Sequence, residues 1–178
     1  MFITIHAATG ALIGTEVANP VIAFTISFIL HFLIDIIPHG DRELGKKFFG
    51  LINKKFSEEE KIKSLAAYGI IDYIVLIFFL LFMFKNFSFA KDDGVIWGII
   101  GGILPDLLVA VFVLTKTKYL KWFFDFHKWN HHLIIGKLPN DISLKSGVIM
   151  QLIIFAILFL MLLKINLFGP YSQMLGLL

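Results

Sequence analysis

Five long apolar segments constrain the fold of this chain more than any other feature of its sequence. They cover residues 2–18, 20–38, 66–84, 94–115 and 146–164. A helix needs about 20 apolar residues to cross the hydrocarbon core of a bilayer. Only 16% of the residues are charged, whereas a soluble domain carries about a quarter. The sequence therefore predicts an all-α polytopic membrane protein, a single helical domain over residues 1–178 with about five transmembrane helices.

Basic residues predict how this domain is oriented. Lysine and arginine are concentrated in the 39–65 and 116–145 loops, and few of them lie in the short 85–93 loop. Because cytoplasmic loops carry the excess of basic residues, we expect the two larger loops and the N-terminus to be cytoplasmic. The abundance of Lys, Ile, Phe and Asn is typical of an AT-rich prokaryotic genome. We therefore predict a multi-pass protein of a prokaryotic cytoplasmic (inner) membrane.

Small residues recur at helical spacing in the first and fourth segments. Gly10 and Gly14 form one GxxxG pattern, and Gly98 and Gly102 form another. Such patterns allow two helix backbones to approach closely, and we expect this packing to be within the monomer. Pro105 follows in the fourth segment and predicts a kink there.

Histidines and acids interrupt the apolar segments, although a charged group in hydrocarbon is costly and is a functional candidate by default. On the predicted topology they gather at the cytoplasmic side. The set comprises His6, His31, Asp35, His39, Asp41, Asp72, Asp106, His127, His131 and His132. Taken singly, His6 could be an interfacial histidine, Asp41 a helix cap, and His131 and His132 solvated residues. Glu16 lies toward the other end of its helix and is expected to be interfacial.

The spacing of these residues favours a metal site. His31 with Asp35, and His127 with His131, are each four residues apart, so each pair shares one helical face. Imidazole and carboxylate groups are ligands for zinc, manganese or iron. The chain has no cysteine, which excludes thiolate ligands and disulfides. More ligands are present than one tetrahedral ion needs, so we expect two or three ions, zinc in the first place and manganese as an alternative. A site with two metals activates water and stabilises an oxyanion, as phosphoester hydrolysis requires.

Four motifs together resemble the membrane-bound metal-dependent hydrolases, the YdjM-like, LexA-binding inner-membrane proteins. The motifs are "IHAATGALIG", "HFLIDIIPHGD", "GGILPDLL" and "HKWNHH". That family is thought to be distantly similar to the all-helical zinc-dependent phospholipase C and the S1 and P1 nucleases, which hold three zinc ions with His and Asp. The resemblance implies metal ligands at His6, His31, Asp35, His39, Asp106, His127 and His131. It carries over more weakly to Asp41, Asp72 and His132.

Three functions remain open at this stage. The first is a hydrolase of a phosphoester in a lipid or lipid-linked substrate, with Asp41 or Asp72 as the general base and His132 protonating the leaving group. The second is a divalent-cation or proton-coupled transporter, because intramembrane acids and histidines also mark ion pathways. The third is a membrane scaffold in which metal only joins helices. We expect membrane lipid as the partner, and no nucleic acid.

Overall fold

The computed structural model describes residues 1–39, 58–135 and 142–174; the side chains of residues 58–68, 132, 135, 144 and 169–174 lie outside the description. All regular elements in these ranges are helical, which confirms the all-α prediction for this part of the chain. The helices are α1 (Ile3–Glu16), α2 (Pro20–Asp35), α3 (Glu58–Asn86), α4 (Asp93–Thr115), α5 (Lys121–Ile135) and α6 (Leu144–Met174). Short 3-10 helices occupy Ser88–Lys91 and Lys118–Leu120.

Three of the described helices are long and apolar enough to cross a membrane. The suitable stretches are Gly69–Asn86 in α3, the whole of α4, and Lys145–Phe168 in α6. Helices α1 and α2 have 14 and 16 residues, so each is shorter than the ~30 Å hydrocarbon core at 1.5 Å per residue. The predicted count of five transmembrane helices is therefore not confirmed.

Local sequence explains why α2 is shorter than the apolar segment that contains it. Pro20 occupies the first turn, and the side chain of Asn19 accepts hydrogen bonds from the backbone N–H groups of Val21 and Ile22. Asparagine is a favoured N-cap, and proline fits the first turn of a helix. The helix ends at Asp35, three residues before Pro38, which disfavours the helical conformation at Ile37 and so limits how far α2 can continue.

Glycines bring α1 and α4 into direct backbone contact. A Cβ atom added to Gly10 would lie 2.2 Å from the carbonyl oxygen of Gly98, and one added to Gly98 would lie 2.2 Å from the carbonyl oxygen of Gly10. A Cβ on Gly14 would meet Gly94 and Val95 at 2.3–2.5 Å, so the two helices run antiparallel. The GxxxG patterns therefore pack within the monomer, as predicted, and this packing buries most of α1.

The outer surface of the protein is rich in large apolar side chains. Exposed examples on α2, α3 and α6 include Val21, Leu33, Phe78, Leu81 and Leu160. A water-soluble monomer rarely exposes continuous apolar surface of this kind. These faces suit contact with lipid, in agreement with the three apolar helices.

Part of the predicted 116–145 loop is helical. Helix α5 occupies Lys121–Ile135, and its start follows the end of α4 by only a few residues. Lys116 ends α4 with a left-handed backbone conformation, at φ 53°. This short connection places α5 against α2 and α4, where its histidines meet the acids of those helices.

Candidate metal centre

Asp35 lies at the centre of the polar cluster that the structure brings together. Its side chain is completely buried. Its Oδ2 atom is 3.1 Å from His31 Nε2, 3.4 Å from His127 Nε2 and 3.0 Å from His131 Nε2. Its Oδ1 atom is 3.1 Å from His6 Nε2. Four imidazoles from α1, α2 and α5 therefore converge on one carboxylate.

The first of two candidate ligand groups contains His31, Asp35, Asp106 and His127. His31 Nε2 and His127 Nε2 are 3.1 Å apart, and they lie 3.8 Å and 3.5 Å from Asp106 Oδ1. Four ligands at 2.0–2.1 Å around a tetrahedral zinc ion are separated by about 3.3–3.4 Å. The five distances that join the two histidines to each other and to the two acids, 3.1–3.8 Å, lie close to that value, so these side chains could hold one ion.

Hydrogen bonding supports this fit. Asp35 Oδ2 has no hydrogen-bond partner although it is buried and close to three ring nitrogens. Buried polar atoms are nearly always paired, and an unpaired one requires an explanation such as an ion. A cation bound between these nitrogens and Asp35 Oδ2 would give Oδ2 a partner, because a metal ion accepts the lone pairs of its ligands and needs no donated proton.

The second candidate group contains Asp35, His39 and His131, so Asp35 belongs to both groups. His39 follows the end of α2 and is buried. The amino nitrogen of Met1 lies 2.9 Å from Asp35 Oδ1 and 2.8 Å from His39 Nε2. By composition and distance either group could hold a metal ion, but an ion in the second group would have to displace the Met1 amino group from His39 Nε2.

Backbone carbonyls orient two of the imidazoles. His31 Nδ1 lies 2.8 Å from the carbonyl oxygen of Gly102, and His39 Nδ1 lies 2.6 Å from that of Ile37. A carbonyl oxygen can only accept, so Nδ1 carries the proton in both rings, and the lone pair of Nε2 faces the cluster. This arrangement of an outer hydrogen bond and an inner ring nitrogen is usual for metal-bound histidines.

Two of the three histidines of α5, His127 and His131, have pKa values shifted in opposite directions. Burial lowers the pKa of His127, but the nearby carboxylates of Asp106 and Asp35 outweigh burial and raise the pKa to about 9. Burial dominates at His131 and lowers its pKa below the usual value. A metal that binds His127 would therefore compete with a proton more strongly than one that binds His131.

Asp72 of α3, a predicted general base, contacts the first turn of α1. Its Oδ2 accepts the backbone N–H of Ile3 at 2.7 Å, and its Oδ1 accepts the hydroxyl of Thr4 at 3.1 Å. Both oxygens thus satisfy groups in the first turn of α1, where a negative charge is favourable. This geometry supports a capping role, and the catalytic role of Asp72 stays a prediction.

The other predicted residues fall into three classes. The predicted ligands His6, His31, Asp35, His39, Asp106, His127 and His131 all lie in the cluster, although ligation itself stays a prediction. Asp41, and the side chain of His132, lie outside the described part of the chain. Glu16 is exposed and sits at the far end of α1 from His6.

Two buried amides that support the cluster were not predicted from the sequence. Gln151 of α6 accepts the backbone N–H of Phe2 at 2.7 Å, and its Nε2 donates to the carbonyl oxygen of His39 at 3.4 Å. Asn130 of α5 donates to the carbonyl oxygen of Phe32 at 2.8 Å. A signal existed for each, since Gln151 interrupts an apolar segment and Asn130 adjoins His131.

No protein-family model, curated protein or solved structure matches this chain. The resemblance to the membrane-bound metal-dependent hydrolases therefore stays a prediction.

Proposed function

We propose that this chain is a membrane-embedded, metal-dependent hydrolase that cleaves a phosphoester in a lipid or lipid-linked substrate. The observation that carries the proposal is the geometry around Asp35, whose buried Oδ2 is unpaired and faces three ring nitrogens at 3.0–3.4 Å. An imidazole and carboxylate set of this kind suits zinc, with manganese as the next choice.

An open edge favours catalysis over a purely structural ion. The side chains of His31 and Asp35 are completely buried, but those of Asp106 and His131 are 22% and 20% exposed. Structural zinc sites are closed by protein ligands, whereas catalytic sites keep one position for water or substrate. The edge formed by Asp106 and His131 offers such a position.

The chain's own residues have distinct roles in this proposal. The group around His31 and Asp106 would hold one ion, the group around His39 and His131 would hold another, and Asp35 would serve both. His6 contacts Asp35 Oδ1 and would fix the carboxylate. A divalent metal at such a site supplies acidified water and polarises a phosphoryl oxygen.

Proton transfer would fall to a carboxylate and an imidazole outside the two ligand groups. We assign the general base to Asp41 or Asp72 and protonation of the leaving group to His132, because a carboxylate and an imidazole are the usual groups for these steps. Asp72 is the weaker candidate for the base, since two donors of α1 already occupy its oxygens.

The apolar surface supports a lipid substrate. Helices α2 and α4 contribute His31, Asp35 and Asp106 to the centre and also expose large apolar side chains on their outer faces. An amphiphile in the bilayer could approach the centre laterally along such faces. Lysines in the segment after α4 could hold an anionic headgroup.

The first experiment measures metal content per chain in detergent-purified protein by elemental analysis. We expect two or more ions per wild-type chain, one fewer in His131→Ala, and none in Asp35→Ala. Glu16→Ala, which removes an exposed acid of α1 distant from the cluster, is the matched control and should keep all the metal. Wild-type protein without metal after reloading would contradict the proposal.

The second experiment supplies metal-loaded protein with a panel of phospholipids and isoprenoid phosphates. We expect release of phosphate or a phosphorylated headgroup by the wild type and by Glu16→Ala, and no release by Asp35→Ala. Full metal loading without hydrolysis of any substrate would refute the hydrolase. Metal flux into liposomes would then favour the transporter.

A further inference from the structure

Helix α5 packs against α4, where the ring of Phe124 stacks on that of Phe112 at 4.6 Å, and it docks on α2 by a buried face. Phe123, His127 and Asn130 are spaced four and three residues apart and are buried. The ring of Phe123 lies 6.2 Å from that of Phe32, whose carbonyl oxygen accepts the hydrogen bond from Asn130. This face docks α5 on α2 and aims His127 at the metal centre.

A second apolar face of α5 is largely uncovered among the described residues, although the ring of Phe126 at its edge lies 5.2 Å from that of Phe32. Trp122, Phe126 and Trp129 have the same spacing as the docked face but lie one residue earlier, so their face is rotated by about 100°. They are 68%, 42% and 57% exposed. The rings of Phe126 and Trp129 are 5.8 Å apart and form a continuous aromatic face.

The side of α5 opposite the docked face is charged. Lys121 and Asp125 form an ion pair there, one helical turn apart, and Lys128 continues the same face. The segment 116–129 contains four lysines and one acid. A helix with adjacent aromatic and basic faces is typical of segments that lie in a membrane interface.

The position of α5 relative to α4 agrees with this pattern. Helix α4, one of the three helices able to cross a membrane, ends at Thr115, and Leu114 in its last turn is 81% exposed. The chain then turns at Lys116, and α5 begins at Lys121. The aromatic face therefore starts within a few residues of the end of a membrane-spanning helix, at the level where tryptophan is enriched.

We propose that α5 lies in the membrane plane, with Trp122, Phe126 and Trp129 inserted at the boundary between headgroups and acyl chains of an anionic leaflet. Its lysines would face the phosphate groups, where a polybasic segment is attracted. The partner is thus the lipid surface itself. This inference goes beyond the proposed hydrolase and does not require catalysis.

The consequence concerns the metal centre. His127 and His131 lie on the same helix as the aromatic face, so the depth of α5 in the leaflet fixes the depth of the centre. Insertion at the interface would hold the open edge near the headgroups rather than in bulk water or in the bilayer interior.

Tryptophan fluorescence can test the depth directly, because the chain has only three tryptophans. Three single-tryptophan variants of the full chain are made by Trp→Phe changes, which retain Trp97, Trp122 or Trp129. Each is reconstituted into vesicles of phosphatidylcholine and phosphatidylglycerol. The phosphatidylcholine is unlabelled, brominated near the headgroup, or brominated near the ends of the acyl chains. Trp97, which lies in α4, reports on incorporation into the bilayer.

We expect bromine near the headgroup to quench Trp122 and Trp129 at least about twofold more strongly than bromine near the chain ends. Acrylamide should quench both residues less than it quenches free tryptophan. Strong quenching by acrylamide without quenching by bromine would show a helix in water and overturn the proposal. Quenching by neither reagent, with Trp97 still sensitive to bromine, would show a protein partner such as a second copy and would also overturn it.

A charge variant tests the anionic part of the proposal. Changing Lys118 and Lys121 to Gln should increase acrylamide quenching of Trp122 in these vesicles but not in vesicles of phosphatidylcholine alone. An equal effect in both membranes would contradict recognition of anionic lipid. The metal content of the single-tryptophan proteins separates this test from that of the hydrolase. A protein that binds metal but does not insert α5 into the membrane would refute only the proposal for α5.

Discussion

Replacing Gly10 with alanine should force α1 and α4 apart. The new Cβ would lie 2.2 Å from the carbonyl oxygen of Gly98 and 2.6 Å from its carbonyl carbon. An ordinary van der Waals contact begins at 3.4 Å, so the helices must separate locally by about 1 Å. The opposing atoms belong to the backbone and cannot rotate away, which places the cost at the upper end of the ~1–3 kcal/mol typical of overpacking.

Thermal unfolding of the detergent-purified protein measures this cost. For a chain of this length, 1 kcal/mol lowers Tm by about 2–4 °C, so Gly10→Ala should lower it by roughly 6–12 °C. Gly69→Ala is the matched control, because nothing lies within 4 Å of its added Cβ. That change should leave Tm equal or raise it slightly, since alanine is the better helix former.

The structure also predicts coupling between two glycines. Gly98→Ala should be as costly as Gly10→Ala, since its Cβ would lie 2.2 Å from the carbonyl oxygen of Gly10. The double variant should lose less stability than the sum of the single losses, because one separation relieves both clashes. A Gly10→Ala protein as stable as the Gly69→Ala control would refute the close packing of α1 and α4.

Three further predictions concern the centre and its supports. Apparent zinc affinity should fall about tenfold per pH unit below pH 9, because zinc must displace the proton of His127. Competition with a chelator from pH 6 to 8.5 should show this slope for the wild type and for the control variant Asp125→Asn. A zinc affinity that does not change with pH would contradict this prediction. Asp72→Ala should cost ~1–3 kcal/mol in thermal unfolding, through two lost hydrogen bonds, but should keep the metal; loss of metal would instead place Asp72 in the centre. Gln151→Ala should weaken metal binding about tenfold, because it releases the chain segment at His39. Elemental analysis after dialysis against a weak chelator would detect the loss of metal. A variant that retains as much metal as the wild type would refute a supporting role for Gln151.

Some residue pairs of the candidate centre could be predicted from the local sequence. The pair His31 and Asp35 was identifiable because a four-residue spacing places two side chains on one face of any helix, and the structure puts their Nε2 and Oδ2 atoms 3.1 Å apart. The same rule predicted the shared face of His127 and His131. Asp72, like Asp35, is an aspartate within an apolar segment, but its oxygens accept hydrogen bonds from the first turn of α1 instead of joining the cluster.

The supporting amides could not be assigned in the same way. Gln151 acts on residues 112 and 149 positions away in the chain, and no local pattern encodes such a distance. The number of transmembrane helices was also difficult to predict from local patterns. Hydropathy detects apolar segments, but caps and prolines decide where a helix begins and ends, and they shorten α2 to 16 residues.

The sequence by itself determined the helical character of the described residues, the apolar exterior, the close approach of glycine-bearing helices and the residue types available to a metal. These follow from composition and from the 3.6-residue period, which act within one helix. Only the tertiary structure decided that Asp35 is the carboxylate shared by both ligand groups, that Asp106 joins it, and that α5 presents one face to the centre and another outward. These outcomes depend on how α1, α2, α4 and α5 pack, because atoms far apart in the chain become neighbours only when the helices are assembled.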